Sequence, residues 1–148
     1  MQQTSAMEVG ISVMDLDRML GFYTEALGCR EVRRADIPAA LSAPLTLAAE
    51  GYVCIWLQTP GGEIIKLMAP PAAPEKWAKP ERLTEQTGIA YLTFYVDDIA
   101  AVLAAAEERG ATLRSERALV TEGAGAVKLG FFEDPEGNVI ELVEALAG

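Results

Sequence analysis

The sequence contains no histidine. Histidine is the general base of the serine and cysteine triads, and its ring is a common ligand of zinc and other transition metals. Its absence excludes three kinds of site: histidine-based triads, histidine general bases and histidine metal centres. The missing histidine therefore restricts the possible catalytic and metal sites more than any residue that is present does.

Cysteine is scarce, and so is positive charge. Cys29 and Cys54 are the two cysteines; each lies in an apolar, strand-like stretch, and their spacing matches no metal or redox motif. They are interpreted as core residues. The chain carries 12 Lys and Arg against 22 Asp and Glu, a net charge of −10, and its pI is about 4.4. Such a protein repels phosphate backbones and anionic membrane surfaces, so we expect no nucleic-acid partner.

No apolar run approaches the roughly 20 residues of a membrane span, and the first residues lack the basic and apolar regions of a signal peptide. We therefore expect no membrane partner and a cytoplasmic location. At 148 residues, with 51% hydrophobic and 23% charged residues, the chain has the composition of one globular domain.

The chain contains an internal repeat that begins with a strand and a helix. Residues 8–16 and residues 91–99 each alternate like a strand and run into an amphipathic segment. An aspartate stands at the predicted N-cap of each helix and a glycine follows it: Asp15 and Gly28 in the first copy, Asp98 and Gly110 in the second.

The second half of each copy also matches. Residues 60–68 align without gaps against residues 135–143, and each stretch reads as a tight turn followed by an apolar strand. A further strand precedes each turn, at residues 53–57 and 127–132. Both copies are therefore predicted to form a strand, a helix and three more strands.

The predicted fold class is α+β, with two βαβββ modules in a single domain. Module one is predicted at residues 7–69 and module two at 89–146, and the proline-rich residues 70–88 have the composition of a linker. The helix of a module covers one face of its sheet and leaves the other bare. We expect two modules, either of one chain or paired across a dimer, to close a concave, partly apolar cup that takes a small organic ligand.

Residues 130–142 are similar to the closing hairpin and last strand of the vicinal-oxygen-chelate (glyoxalase/bleomycin-resistance/dioxygenase) superfamily. This superfamily includes glyoxalase I, methylmalonyl-CoA epimerase, extradiol dioxygenases and bleomycin-resistance proteins. Residues 9–13 with Phe22 and Tyr23 resemble the superfamily's opening strand and first helix. The resemblance covers nearly the whole chain and implies the fold, but one fold hosts many reactions.

Enzymes of this superfamily usually hold a divalent metal at four positions, at the start of the first strand and on the last strand of each module. The resemblance places these positions at Glu8, Lys66, Tyr91 and Glu141. A protonated lysine cannot ligate a metal, and an un-ionised tyrosine is a poor ligand for the usual divalent ions. We therefore expect no metal and no other cofactor. Weak binding of Mg²⁺ or Ca²⁺ by Glu8, Glu141 and waters is the alternative.

Strand alternation predicts the side chains that face the cup. Glu8, Lys66, Tyr91 and Glu141 form its predicted polar centre. The predicted ligand-binding residues around this centre are Ser12, Trp56, Met68, Thr93, Tyr95 and Phe131. For Trp56, Phe131 and Phe132 a role in the core is the alternative.

Residues next to the cup are open to more than one interpretation. Arg33 and Arg34 either meet an acidic ligand or form a solvated strand end. Residues 36–51, with two prolines, are expected to form a loop that covers the cup.

Two interpretations of the polar centre are open. In the first, a glutamate deprotonates a carbon acid while Lys66 and Tyr91 stabilise the oxyanion, which gives a metal-independent lyase or isomerase. In the second, Lys66 only pairs with Glu8 and Glu141, so that neither carboxylate is left without a partner. The alternative function is a non-catalytic protein that sequesters a drug or metabolite. The resemblance also implies a homodimer.

Overall fold

The computed structural model describes residues 2–123 and 125–146. They form two compact units, and the boundary between the units falls between Glu75 and Lys76. The described helices are all too short or too polar to cross a bilayer. Both units are α+β, as predicted.

The first unit contains a strand, a helix and three further strands, with one additional short helix. Its elements are β1 (Glu8–Ser12), α1 (Leu16–Glu25), β2 (Arg30–Ile37), α2 (Ala39–Ser42), β3 (Tyr52–Gln58) and β4 (Ile64–Ala69). The strands form one sheet in the order β1-β4-β3-β2. Strand β1 runs parallel to β4, and the other neighbours are antiparallel.

The second unit repeats this plan with one difference. Its elements are the 3₁₀ turn Leu83–Glu85, then β5 (Leu92–Tyr95), α3 (Ile99–Glu108), β6 (Thr112–Leu113), β7 (Leu119–Val120), β8 (Val127–Glu133) and β9 (Val139–Ala145). The sheet order is β5-β9-β8-β6, and β7 also pairs with β8. The single strand expected after α3 is thus two short strands, β6 and β7, on the same side of β8.

The predicted N-caps of both helices are confirmed, and so is the glycine that follows the second helix. Asp15 Oδ1 accepts a hydrogen bond from the backbone N–H of Arg18, and Asp98 Oδ1 accepts one from that of Ala101, both at 3.0 Å. Gly110 directly follows the C-cap of α3 and has φ 92°, the left-handed conformation that favours glycine. Helix α1 ends at Glu25 with its C-cap at Ala26, so Gly28 lies one residue beyond the position expected for the glycine after the cap.

One face of each sheet packs on the helix of its unit. In the first unit, Ile55, Leu67 and the α1 residue Phe22 are at most 1% exposed. In the second unit, Phe132 and the α3 residue Leu103 are equally buried, so Phe132 is a core residue. Burying each such side chain stabilises the fold by about 1.5–3 kcal/mol.

Both cysteines are core residues, as predicted. Cys29 is 5% exposed and Cys54 is 1% exposed, and both are free thiols. Burial raises the pKa of the Cys29 thiol to about 12 and also raises the pKa of Cys54. At neutral pH both thiols therefore stay protonated and unreactive.

The expectation of a loop over residues 36–51 is wrong for its first part. Strand β2 continues through Ile37, and helix α2 follows almost at once. The buried Ser42 hydroxyl donates to the carbonyl oxygen of Ala48 at 2.7 Å, which fixes the chain after the helix. Gly51 has φ 86°, and a Cβ there would lie 2.5 Å from the Ile37 carbonyl oxygen. This close approach requires glycine.

Candidate active site

The face of each sheet away from its helix is the open face. In the first unit it carries Glu8, Gly10 and Ser12 on β1, which are exposed, and Lys66 and Met68 on β4, which are half-buried. Their neighbours on β1 and β4 alternate toward the helix-covered face, where Ile11 and Leu67 are buried. The alternation is the one that the sequence indicates.

Glu8 and Lys66 form an ion pair on this open face. Lys66 Nζ lies 2.6 Å from Glu8 Oε2, and the two side chains are 32% and 38% exposed, in the order lysine, glutamate. Parallel pairing of β1 with β4 brings them together, because Gly10 stands opposite Lys66 and Glu8 is two residues before it. A pair this exposed contributes at most about 1 kcal/mol to stability.

An aromatic ring lies beside this ion pair. Trp56 on β3 stands opposite Lys66, whose Nζ is 5.9 Å from the centroid of the indole ring. On the other side of β3, Arg33 on β2 stands opposite Trp56, and its guanidinium carbon lies 4.5 Å from the same centroid. Both distances are within the range of cation–π attraction. Arg33, Trp56, Lys66 and Gly10 thus form one row across the four strands.

The open face of the second unit has a carboxylate at its centre. The Thr93 hydroxyl on β5 donates to Glu141 Oε2 on β9 at 2.7 Å. The two residues stand opposite each other in the parallel pair, and Phe131 on β8 stands opposite Glu141 on its other side. Thr93, Glu141 and Phe131 form the row that corresponds to Gly10, Lys66 and Trp56.

Two tyrosines extend this surface. The Tyr91 ring meets Phe131 edge to face, with centroids 5.3 Å apart and planes at 89°, a favourable aromatic geometry. Tyr91 is 42% exposed and Tyr95 is 83% exposed. The phenol of Tyr91 is thus packed on one side and accessible to a ligand.

The predicted site residues therefore fall into two groups. The structure brings Glu8 and Lys66 together in the first unit, with Trp56 beside them, and it brings Glu141, Thr93 and Phe131 together in the second. The sequence leaves Arg33 open between a solvated strand end and a contact with an acidic ligand, and it does not predict the packing of Arg33 on Trp56. The irregular pairing between Glu31 and Arg33 on β2 obscures the alternation there. Arg34 instead pairs with Glu31 at 3.0 Å.

The residues at the four predicted metal positions do not fit a divalent ion. The Glu8 carboxylate is already bound by the ammonium of Lys66, and Tyr91 presents a phenol packed on Phe131. In the part of the chain that the structure describes, no three Cys, Asp or Glu side chains are grouped as a metal site requires.

This donor set predicts that protein purified without chelator contains less than about one tenth of an equivalent of divalent metal. A divalent ion about 4 Å from the Lys66 ammonium is repelled by about 8 kcal/mol at an effective dielectric of about 20. The Lys66→Glu variant places a second carboxylate beside Glu8, so it should bind Mn²⁺ at least about tenfold more tightly than the wild type. Elemental analysis and calorimetric titration measure the two effects. About one equivalent of metal in the wild type contradicts the prediction.

Comparison with known proteins agrees with this architecture. The family model of the glyoxalase/bleomycin resistance protein/dioxygenase superfamily matches residues 6–142. A protein named glyoxylase I 4 from Arabidopsis thaliana is 32% identical over 143 residues, which are 94% of this chain and 70% of that protein. The lactoylglutathione lyase of Haemophilus influenzae is 29% identical over 134 residues, 90% of this chain and 87% of the relative.

A solved structure shows the same fold. The glyoxalase family protein from Bacillus cereus superimposes with a TM-score of 0.82 at 23% identity, covering 99% of this chain and 97% of that one. The matching architecture and the family match over nearly the whole chain lead to the same assignment. The chain belongs to the glyoxalase/bleomycin resistance protein/dioxygenase superfamily.

Proposed function

We propose that the protein binds a small carbonyl-bearing organic molecule on its open faces and acts on it, without a metal, as a lyase or isomerase. One observation carries the proposal: Glu141 is held by the hydroxyl of Thr93. Within residues 76–123 and 125–146, no lysine or arginine forms an ion pair with it. A carboxylate in this state is a suitable general base.

Glu8 and Glu141 differ in the group that holds the carboxylate. Glu8 is held in an ion pair by Lys66, whereas Glu141 accepts one hydroxyl hydrogen bond and has acceptor positions left on its other oxygen. The Thr93 bond also fixes the orientation of the Glu141 carboxylate. We therefore assign the role of base to Glu141, and to Glu8 the role of keeping Lys66 in place.

The proposed reaction begins with transfer of a proton from the carbon next to the substrate carbonyl to Glu141. The C–H electron pair forms a carbon–carbon double bond, and the carbonyl oxygen becomes an enolate oxyanion. Tyr91, whose phenol is accessible, donates a hydrogen bond to this oxyanion. Where the deprotonated carbon carries a hydroxyl, the hydroxyl proton passes to the oxyanion and Glu141 returns its proton to the former carbonyl carbon, which gives an isomerase. Where a leaving group stands at the β-carbon, it departs with its electron pair as the carbonyl re-forms, which gives a lyase. The lyase name of the Haemophilus influenzae relative supports this class.

Non-catalytic sequestration of a drug or metabolite is the second candidate function. It is favoured by the aromatic side chains of the open faces, since Trp56 and Phe131 are half-buried and Tyr91 and Tyr95 are exposed. Partly exposed rings can stack on a planar ligand, and such binding requires no reaction of the ligand. For either function we propose a cytoplasmic homodimer that has no nucleic-acid or membrane partner.

Proton exchange in D₂O distinguishes the two functions without knowledge of the final product. A panel of small ketones, keto acids and hydroxy-ketones is first screened for binding by saturation-transfer NMR. Binders are then incubated with the protein in D₂O, and loss of the proton signal next to the carbonyl is followed with time. An enzyme of the proposed class accelerates this exchange for at least one binder. Tight binding of panel compounds with exchange at the buffer rate establishes the sequestering function instead.

A further inference from the structure

Arg33 differs from the other two cations of strand β2 in what holds it. Arg30 Nη2 donates to Gln58 at 3.0 Å, and Arg34 forms a two-point bond with Glu31. Arg33 instead lies over the Trp56 ring, and within residues 2–75 no carboxylate is paired with it. Its guanidinium carries five N–H donors, and the side chain is exposed.

The charge around Trp56 favours a monoanion. Arg33 and Lys66 each contribute a positive charge and Glu8 contributes one negative charge, so the cluster has a net charge of +1 in a chain whose net charge is −10. One carboxylate neutralises this cluster, whereas a phosphate dianion leaves it with a net charge of −1. The two N–H groups on one edge of a guanidinium match the two oxygens of a carboxylate.

The open face beside these groups is apolar, and Met68 covers the space above Gly10. Gly10, which stands opposite Lys66, presents no side chain, and a Cβ there would already lie 3.1 Å from the sulfur of Met68. The apolar surface next to the cations therefore consists of the Trp56 ring and the Met68 thioether. Both pack well on a flat or aliphatic organic group.

We propose that Arg33, Trp56 and Lys66 form a subsite for the carboxylate of a small organic monoanion. Arg33 binds the two oxygens, Lys66 adds the second positive charge, and Trp56 orients the guanidinium and contacts the ligand's organic body. Carboxylate binding here stands on the geometry of the first unit alone. The identification of the bound compound as the substrate, a carbonyl-bearing carboxylate, rests on the proposed function.

The probe is benzoate, with benzamide as its neutral isostere and phenylphosphonate, largely a dianion near pH 8, as the doubly charged analogue. The chain has two tryptophans, Trp56 and Trp77, so a ¹H–¹⁵N spectrum contains two indole signals, which the Trp56→Phe variant assigns. We expect benzoate to shift the Trp56 indole signal with a Kd of about 1–10 mM and to leave that of Trp77 in place.

The Arg33→Gln variant should bind benzoate about 10- to 100-fold more weakly, because it loses a charge-assisted bidentate contact. Arg33→Lys keeps the charge but not the two-point geometry, and an intermediate affinity is expected. Arg30→Gln is the matched control, since it changes the net charge equally on the same strand, and it should bind benzoate within about twofold of wild type.

Several outcomes overturn the subsite. They are the absence of a Trp56 shift at about 50 mM benzoate, unchanged affinity in Arg33→Gln, an equal loss in Arg30→Gln, or a tighter complex with benzamide or phenylphosphonate. The proposed function fails separately. If benzoate binding depends on Arg33 but the protein exchanges no proton of any bound carbonyl compound, the subsite is supported and the proposed enzymatic function is contradicted.

Discussion

Replacing Glu141 by Gln is expected to lower the rate of substrate proton exchange by about 10²- to 10⁴-fold, the usual contribution of a positioned general base. The amide keeps the size of the side chain and accepts the Thr93 hydrogen bond through its oxygen, but it cannot take a proton. Substrate affinity should change by less than about threefold, because the reacting C–H makes no hydrogen bond to Glu141 in the ground state. Exchange rates by ¹H NMR in D₂O and affinities by calorimetry measure both quantities.

Two further variants make this test specific. Glu116→Gln removes the same charge from an exposed position of the second unit and should leave exchange unchanged. Thr93→Val removes the hydroxyl that orients Glu141 and should slow exchange by about tenfold, with most of the effect on kcat. Exchange in Glu141→Gln within about twofold of wild type would show that another group is the base.

The local sequence predicts the backbone plan because each signal acts over a few residues. Asp15 and Asp98 cap the helix that follows them within three residues, and the alternation of β1 and β4 directly assigns Glu8 and Lys66 to the same face. The repeat then extends these assignments to the second unit. Features determined within a strand, a turn or a helix end could therefore be predicted without knowledge of the register.

Contacts across strands could not be predicted in the same way. That Arg33 stands opposite Trp56 depends on an irregularity in β2, and that Thr93 stands opposite Glu141 depends on the parallel register of β5 with β9. A shift of one residue in either register would move these side chains to the other face. The alternation of residues 112–120 does not indicate that the expected strand divides into β6 and β7.

The turn between β8 and β9, which the sequence predicts, is stabilised by the side chain of one aspartate. Asp134 is 3% exposed, and its Oδ1 accepts hydrogen bonds from the backbone N–H groups of Glu136 and Asn138 at 2.9 Å. Its Oδ2 accepts a third from the amide of Asn138 at 2.8 Å. Gly137, with φ 93°, completes the turn by donating to the Asp134 carbonyl oxygen. One buried carboxylate therefore organises the whole turn.

The equivalent hairpin of the first unit, between β3 and β4, is held by weaker side-chain hydrogen bonds. Thr59 replaces the aspartate and is 8% exposed, and its hydroxyl oxygen accepts from the backbone N–H of Glu63 at 3.2 Å. The same hydroxyl donates to the Glu63 carboxylate, and this bond lowers the pKa of Glu63. Both turns have the same length and backbone closure, so Thr59 and Asp134 can be compared directly.

We expect Asp134→Ala to lower the free energy of unfolding by about 3 kcal/mol, because two backbone N–H groups and one amide lose their acceptor in a poorly solvated turn. Asp134→Asn keeps an oxygen for the two backbone donors but places an amide against that of Asn138, so about 1 kcal/mol is expected. Thr59→Ala removes the long bond from the Glu63 N–H and the bond to the carboxylate of the exposed Glu63, and it should also cost about 1 kcal/mol. Urea unfolding followed by circular dichroism gives all three values. Equal losses in Asp134→Ala and Asp134→Asn would mean that the charge of the carboxylate, and not its acceptor geometry, stabilises the hairpin.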